Sequence, residues 1–253
     1  MINKIHNEDC LTTMSKMEDE LIDLIITSPP YNCGIDYDVY KDNIEYSAYL
    51  NFTKGWLLEV FRILKNTGRI ALNIPYEVNL HERGDRIFLV SDYWQIMKGI
   101  GFKWAGLIDL AEIQPQRVKY TAWGSYLSAS APYIYNPKEC LIIAYKNNWG
   151  KGKGESSLTK NEFIEYVSGS WKYRAEMKGL TKANFSLDIP IKAIKILSFK
   201  NDIIYDPFMG SGTTALACTK ENRKFIGSEI SEEYCKIAEK RIDIELNQMR
   251  IFE

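Results

Sequence analysis

Apolar positions fall into two rhythms along this chain. Short runs at Ile2–His6, Leu21–Ile26, Arg69–Ile74, Phe102–Asp109, Cys140–Tyr145, Asp202–Tyr205 and Lys224–Ser228 read as strands. Between them, apolar residues recur at helical spacing. Leu11–Met17 fits a helix, and Glu45–Lys65 carries Trp56, Leu57, Val60, Phe61 and Leu64 on one stripe. Asn66-Thr67-Gly68 supplies the expected stop for that helix, and Gly101 ends the next, marked by Ile87, Val90, Trp94 and Met97. Further helices are expected around Pro190, Ile194 and Leu197, from Ala215 to Cys218, and through Tyr234, Ile237, Ala238 and Ile242. Strands alternating with helices predict an α/β domain with a mostly parallel twisted sheet and helices on both faces.

Three stretches leave this rhythm. Residues 32–45 are polar, with Gly34, Asp36, Asp38, Lys41, Asp42 and Asn43, and read as a loop. Residues 111–137 include Gln114-Pro115-Gln116-Arg117 and the small, polar and aromatic run Trp123–Tyr133, read as a long loop. Asn147–Lys182, with Gly150, Gly152, Gly154 and Gly169 among basic and aromatic residues, gives the weakest signal for regular structure.

Two turns carry chemistry. The first, Thr27-Ser28-Pro29-Pro30-Tyr31, ends an apolar strand. Neither proline can donate a backbone hydrogen bond, and both fix φ near −65°. The result is a stiff turn with bare carbonyls and an aromatic ring behind them, suited to accepting hydrogen bonds from a planar amino group while a ring stacks on the group that bears it. The plainer reading is a strand-ending turn followed by a core tyrosine. The second turn, Asp206-Pro207-Phe208-Met209-Gly210-Ser211-Gly212-Thr213-Thr214, lies between a strand and a helix. Strand, glycine turn and helix is the layout of a Rossmann-like nucleotide site, where free N–H groups at the helix start can hold an anion. Glu229 ends the next strand, about 20 residues on, where an acid binds ribose hydroxyls in such folds. It could equally cap the helix starting near Ser231.

A TSPPY segment followed far downstream by an FxGSGT segment resembles the DNA amino-methyltransferases, and the order resembles their β group. The likeness spans about Ile5 to Ala238. It implies a Rossmann-like S-adenosylmethionine-dependent methyltransferase fold over residues 1–253. Residues 1–146 would form a catalytic half, 147–183 a target-recognition insertion and 184–253 a cofactor-binding half. By this resemblance Ser28, Pro29, Pro30 and Tyr31 serve catalysis. Asp206, Phe208, Gly210, Ser211, Gly212 and Thr213 hold the methionine part of S-adenosylmethionine, with Thr27 beside them, and Glu229 takes the ribose. Asn7-Glu8-Asp9-Cys10-Leu11 resembles an early acidic segment of the family and places Asp9 near the adenine. Where family members often carry His-Pro-Ala-x-Phe-Pro, this chain has Asn184-Phe185-Ser186-Leu187-Asp188-Ile189-Pro190. Serine at position 28 resembles the cytosine-N4 enzymes, whereas Asp or Asn is commoner in adenine-N6 enzymes. The implied partner is double-stranded DNA, with room for a homodimer and for a cognate restriction endonuclease.

Composition adjusts this picture only at the margins. The 253 residues suffice for one large domain. No apolar run approaches the ~20 residues of a membrane span, and no signal peptide is evident, so a cytoplasmic protein is expected. Five dispersed cysteines without a C-x-x-C pair and only two histidines argue against a metal site. Net charge is −1, so a nucleic-acid footprint must come from its distribution. Residues 1–30 hold two lysines against six acids, and residues 146–182 hold eight basic residues against four glutamates. Lys151, Lys153, Lys172 and Arg174 are the candidates for DNA contact. Competing expectations are an RNA or protein-amide methyltransferase, disfavoured by the motif order, and a non-catalytic binding module, disfavoured by two intact motifs.

Overall fold

The computed structural model describes residues 1–34, 39, 42–80, 85–112, 125, 127–132, 134, 136, 138–173 and 186–252. At its centre stands β2 (Ile22–Thr27), buried at every position, with β9 (Ile203–Asp206) parallel beside it. On the far side of β9 lie β10 (Lys224–Ser228) and then β1 (Lys4–His6), both parallel. On the far side of β2 lies β3 (Leu64–Pro75), also parallel. Next come β7 (Glu139–Tyr145), antiparallel to β3, β6 (Lys103–Glu112), antiparallel to β7, and β8 (Ser170–Tyr173), parallel to β6. The order of this eight-stranded sheet is β1-β10-β9-β2-β3-β7-β6-β8. The strands β4 (Val78–Leu80) and β5 (Asp85–Ile87) form a separate hairpin.

Side chains alternate between two cores, as the pleat requires. Ile70, Leu72 and Ile74 of β3 and Cys140, Ile142 and Ala144 of β7 face one layer of helices. That layer is α1 (Cys10–Ser15), α2 (Tyr46–Ile63) and α3 (Leu89–Ile100). Ala71, Leu141 and Ile143, with Leu24, Ile26 and Ile204, face the other. There lie α5 (Asp188–Leu197), α6 (Thr213–Lys220) and α7 (Glu232–Phe252). The expected mostly parallel sheet between two helical layers is therefore present. Among the described residues no helix is long and apolar enough to cross a membrane.

Two expectations are corrected. The helix after Glu45 ends at Ile63, and Gly68 is not its stop. Leu64 is fully buried and already extended, pairing with Ile22, and the register then jumps to Leu24 opposite Arg69. Asn66, Thr67 and Gly68 fill this bulge. Lys146 Nζ donates to the Leu64 carbonyl at 2.8 Å, doing the capping expected of a glycine.

The stretch 147–173 is more ordered than its composition suggests. It holds α4 (Lys160–Tyr166), opened by a Thr159/Glu162 capping box, and β8, whose Trp171 is buried. Lys151 is withdrawn from the DNA-contact candidates. Its ammonium lies inside the protein between Asp23 (3.1 Å) and Asp202 (2.5 Å), while Lys65 also reaches Asp23 at 2.7 Å. Burial works against the Asp23 charge, but Lys65, the Ile203 N–H and Lys151 outweigh it and hold its carboxyl below the usual range. Lys153 and Lys172 are exposed. Arg174, the loop readings at Asp36, Asp38 and Lys41, the 114–117 and 123–124 segments and Asn184-Phe185 lie outside the described residues.

Candidate active site

The strand order creates a switch point. From β2 the chain crosses through α2 on one face to β3; from β9 it crosses through α6 on the other face to β10. Crossovers departing in opposite directions leave a crevice at the carboxyl ends of β2 and β9, where ligands bind in sheets of this kind. Both motif turns begin there. A buried bond from Thr27 Oγ1 to Asp206 Oδ1, 2.7 Å long, joins them across 179 residues of sequence.

On the β2 side, Ser28 Oγ and the Tyr31 hydroxyl lie 2.5 Å apart. The Asn73 amide donates to the Tyr31 oxygen at 2.9 Å and to Glu139 Oε2 at 2.6 Å. The Tyr31 hydroxyl is also within reach of the Asn73 main-chain carbonyl, at 3.3 Å, and either oxygen of the Ser28–Tyr31 pair can donate to the other. Ser28 Oγ keeps a lone pair for a further donor. The ring of Tyr31 packs against the α1–α3 core while remaining partly exposed. Immediately after the turn, Asn32 takes a left-handed φ of 57°, and its side chain clasps Ile44 by two bonds of 2.8 Å. Asp42 accepts from the Asn32 and Cys33 N–H groups, closing the base of the loop.

On the β9 side, Asp206 is buried. Burial pushes its carboxyl up to about 6, against bonds from Thr214, Thr27 and the Phe208 N–H that favour its charge. Gly210 and Gly212 both take left-handed conformations, with φ of 53° and 80°. They differ in surroundings: a Cβ at Gly210 would meet nothing within 4 Å, whereas one at Gly212 would sit 2.6 Å from Ala238 Cβ. Gly212 thus permits α6 and α7 to approach, and Gly210 leaves the turn's outer side open. Phe208 stands edge-on to Phe52 and Trp56 of α2, with centroids 6.2 and 5.4 Å away. Glu229 accepts from the Gly210 N–H at 2.8 Å and from the Ser231 N–H at 2.9 Å. It thereby braces the glycine turn and the approach to α7 together.

The structure gathers Ser28, Pro29, Pro30, Tyr31, Phe208, Gly210 and Glu229 at one edge of the sheet. It spends other side chains inward. Thr27 and Asp206 bind each other, and Arg241 of α7 donates to Ser211 Oγ at 3.0 Å and to Thr213 Oγ1 at 3.1 Å. What these four positions offer a ligand is the fixed backbone of the turns. Asp9 is exposed beyond the end of β1, where Asn7 donates to the Glu229 carbonyl at 3.0 Å. The Asp9 carboxylate caps α1 through the Leu11 N–H at 2.8 Å. Sequence reasoning missed Asn73 and Glu139. A signal existed: Asn73 is a polar residue within the otherwise apolar run Ile70–Ile74, which demands a buried partner.

A family profile described as DNA methylase matches residues 22–240. The chain is 44% identical over 173 residues to the Type II methyltransferase M.MjaVI of Methanocaldococcus jannaschii, covering 68% of this chain and 86% of that one. It is 29% identical over 245 residues to the Type II methyltransferase M.HpaI of Haemophilus parainfluenzae, covering 94% and 74%. In fold it resembles a putative DNA modification methylase of Thermus thermophilus solved with S-adenosyl-L-methionine, with a TM-score of 0.75, 24% identity and coverage of 96% and 93%. It also resembles the cytosine-N4-specific PvuII DNA methyltransferase, with a TM-score of 0.73, 18% identity and coverage of 96% and 91%. A profile match across most of the chain and a relative at this identity lead to one conclusion: the chain belongs to the DNA methylase family that methylates exocyclic amino groups.

Proposed function

We propose that this protein transfers the methyl group of S-adenosylmethionine to the exocyclic amine of a base in duplex DNA, with cytosine N4 as the target. The observation that carries this reading is the Thr27–Asp206 bond, which holds the Ser-Pro-Pro-Tyr turn against the glycine turn. The crevice residues fit the cofactor. Gly210 presents open backbone, Phe208 lies beside it in the same turn, and Glu229 places its carboxylate at the turn by accepting from the Gly210 and Ser231 N–H groups. When bound, the cofactor supplies an activated methyl group on a sulfonium.

The chain's own residues prepare the nucleophile. An exocyclic amine is weak because its lone pair is delocalised into the ring. Two acceptors fixed in space, Ser28 Oγ and the Pro29 carbonyl, draw its N–H groups out of the ring plane and turn the lone pair toward the methyl group. Such preorganised polar contacts supply much of a barrier reduction. Tyr31 stacks on the base, its hydroxyl tethered by Ser28 and Asn73 so that the ring holds one orientation. The base must leave the duplex to reach this crevice. Exposed Lys172, level with the carboxyl ends of β6 and β3, supplies positive charge toward phosphates, whereas Lys153 follows Lys151 at the opposite edge of the sheet.

The test is methyl transfer from labelled S-adenosylmethionine to bacterial genomic DNA lacking methylation, with the modified base located by sequencing. The expected product is N4-methylcytosine; N6-methyladenine would reassign the base. Ser28→Ala should lower turnover by ~10²–10³-fold while cofactor affinity by calorimetry stays unchanged. Cofactor binding with no methyl reaching DNA would overturn the proposal.

A further inference from the structure

The Pro-Pro turn exposes successive carbonyls, and the protein treats them differently. The Pro30 carbonyl accepts a hydrogen bond from the Tyr49 hydroxyl at 3.1 Å. Among the described residues no donor reaches the Pro29 carbonyl. Tyr49 belongs to α2, is almost wholly buried, and meets the Tyr93 hydroxyl of α3 at 2.7 Å. Having one hydrogen, which it gives to Pro30, the Tyr49 phenol accepts from Tyr93. Tyr46, one turn earlier on α2, donates to Asp92 of α3 at 2.5 Å, so two hydroxyl contacts lock α2 to α3 beside the turn.

We infer that Tyr49 is a positioning residue for methyl transfer: by holding the Pro30 carbonyl it fixes the turn's rotation and reserves the Pro29 carbonyl for the target amine. This rests on the reading of the turn given above. A proline turn lacks its own N–H groups, so nothing within it distinguishes one carbonyl from the next. An outside donor is needed, and α2 supplies it. The Tyr49 phenol titrates far above its ordinary value because it is buried beside Tyr93, and so it remains a donor at every working pH. The Tyr93 contact keeps that donor from swinging away when the crevice fills.

The test uses the full chain, labelled S-adenosylmethionine and unmethylated genomic DNA, comparing wild type with Tyr49→Phe, Tyr93→Phe, the double variant and Ser28→Ala. Phenylalanine keeps the ring in the core and removes only the hydroxyl. Tyr49→Phe should lower the single-turnover methyl-transfer rate by about tenfold, the effect of a barrier rise of ~1.4 kcal/mol, with cofactor affinity within about twofold. Tyr93→Phe should slow the rate less, and the double variant should be no slower than Tyr49→Phe, because both act through one carbonyl. A Tyr49→Phe enzyme that melts earlier yet transfers methyl at the wild-type rate would make the hydroxyl merely structural and overturn the inference. Rate losses that multiply in the double variant would also overturn it. If Ser28→Ala is slow and Tyr49→Phe is not, this inference alone fails. If both keep the full rate, the reading of the turn fails with it.

Discussion

Replacing Lys151 with methionine separates the structural reading of residues 147–173 from an electrostatic one. The ammonium of Lys151 bridges Asp23 and Asp202 at the amino-terminal edge of the sheet, and its side chain is only 8% exposed. Methionine fills a similar volume but leaves two carboxylates without that cation. Breaking a buried pair from one side costs ~3–5 kcal/mol. Asp23 keeps Lys65 and the Ile203 N–H, and Asp202 keeps the Phe199 N–H at 2.7 Å, which places the loss near the lower end. At about 2 °C per kcal/mol for a chain of this length, ~3 kcal/mol lowers the melting temperature by ~6 °C. Lys153→Met, at an exposed position, should shift melting by less than about 1 °C. The assay pairs thermal melting with DNA affinity across a salt series. Lys151→Met should leave the slope of log affinity against log salt untouched, because it neutralises no phosphate. A variant that melts like wild type and loses about 0.9 from that slope would place Lys151 on the DNA and refute the buried clip.

Further predictions concern the glycine turn. Asp206 titrates at about 6 in the folded protein because it is buried, above its unfolded value, so the native state binds that proton more tightly. Its contribution is therefore best below the unfolded value and is lost as pH rises to about 6; Asp206→Asn should gain ~3 kcal/mol relative to wild type between pH 4 and 7, and a stability difference flat with pH would refute this. Gly212→Ala drives a methyl into Ala238 at a left-handed φ and should cost ~2–4 kcal/mol in chemical denaturation. Gly210→Val meets no protein atom in that direction, so calorimetry should show lost S-adenosylmethionine affinity with stability down only ~1–2 kcal/mol; unchanged affinity would remove the turn from the cofactor site.

Both motif turns were legible because their residues restrict the backbone locally: two prolines end β2, and Gly210 and Gly212 take φ values other residues avoid. Strands at Leu141–Ala144 and Leu24–Ile26 were legible because they are apolar on both faces. What escaped depends on partners far away in sequence. Lys151 looked like any loop lysine, since Asp23 lies 128 residues earlier. Gly68 looked like a helix stop because nothing local shows that Leu64 pairs with Ile22. The capping box at Thr159 and Glu162 is a local signal masked by the neighbouring glycines. Within the site, Ser28 and Tyr31 were foreseen, but the Asn73–Glu139 and Tyr49–Tyr93 contacts that orient them come from β3, β7, α2 and α3.

The pairing of β2 with β9 also dictates a timetable for synthesis. The partners of the Thr27–Asp206 bond are 179 residues apart, so a chain growing at ~5–20 residues per second carries an unpaired β2 edge for ~10–40 s. During that interval a strand that is buried at every position in the finished protein presents open backbone groups to any other nascent chain, the situation in which edge strands seed aggregation. Expression at lower temperature, or with a chaperone that binds extended apolar segments, should therefore raise the soluble yield of the full chain. A truncated chain ending before Ile203 should collect in inclusion bodies, because its central strand never meets the neighbour that buries it.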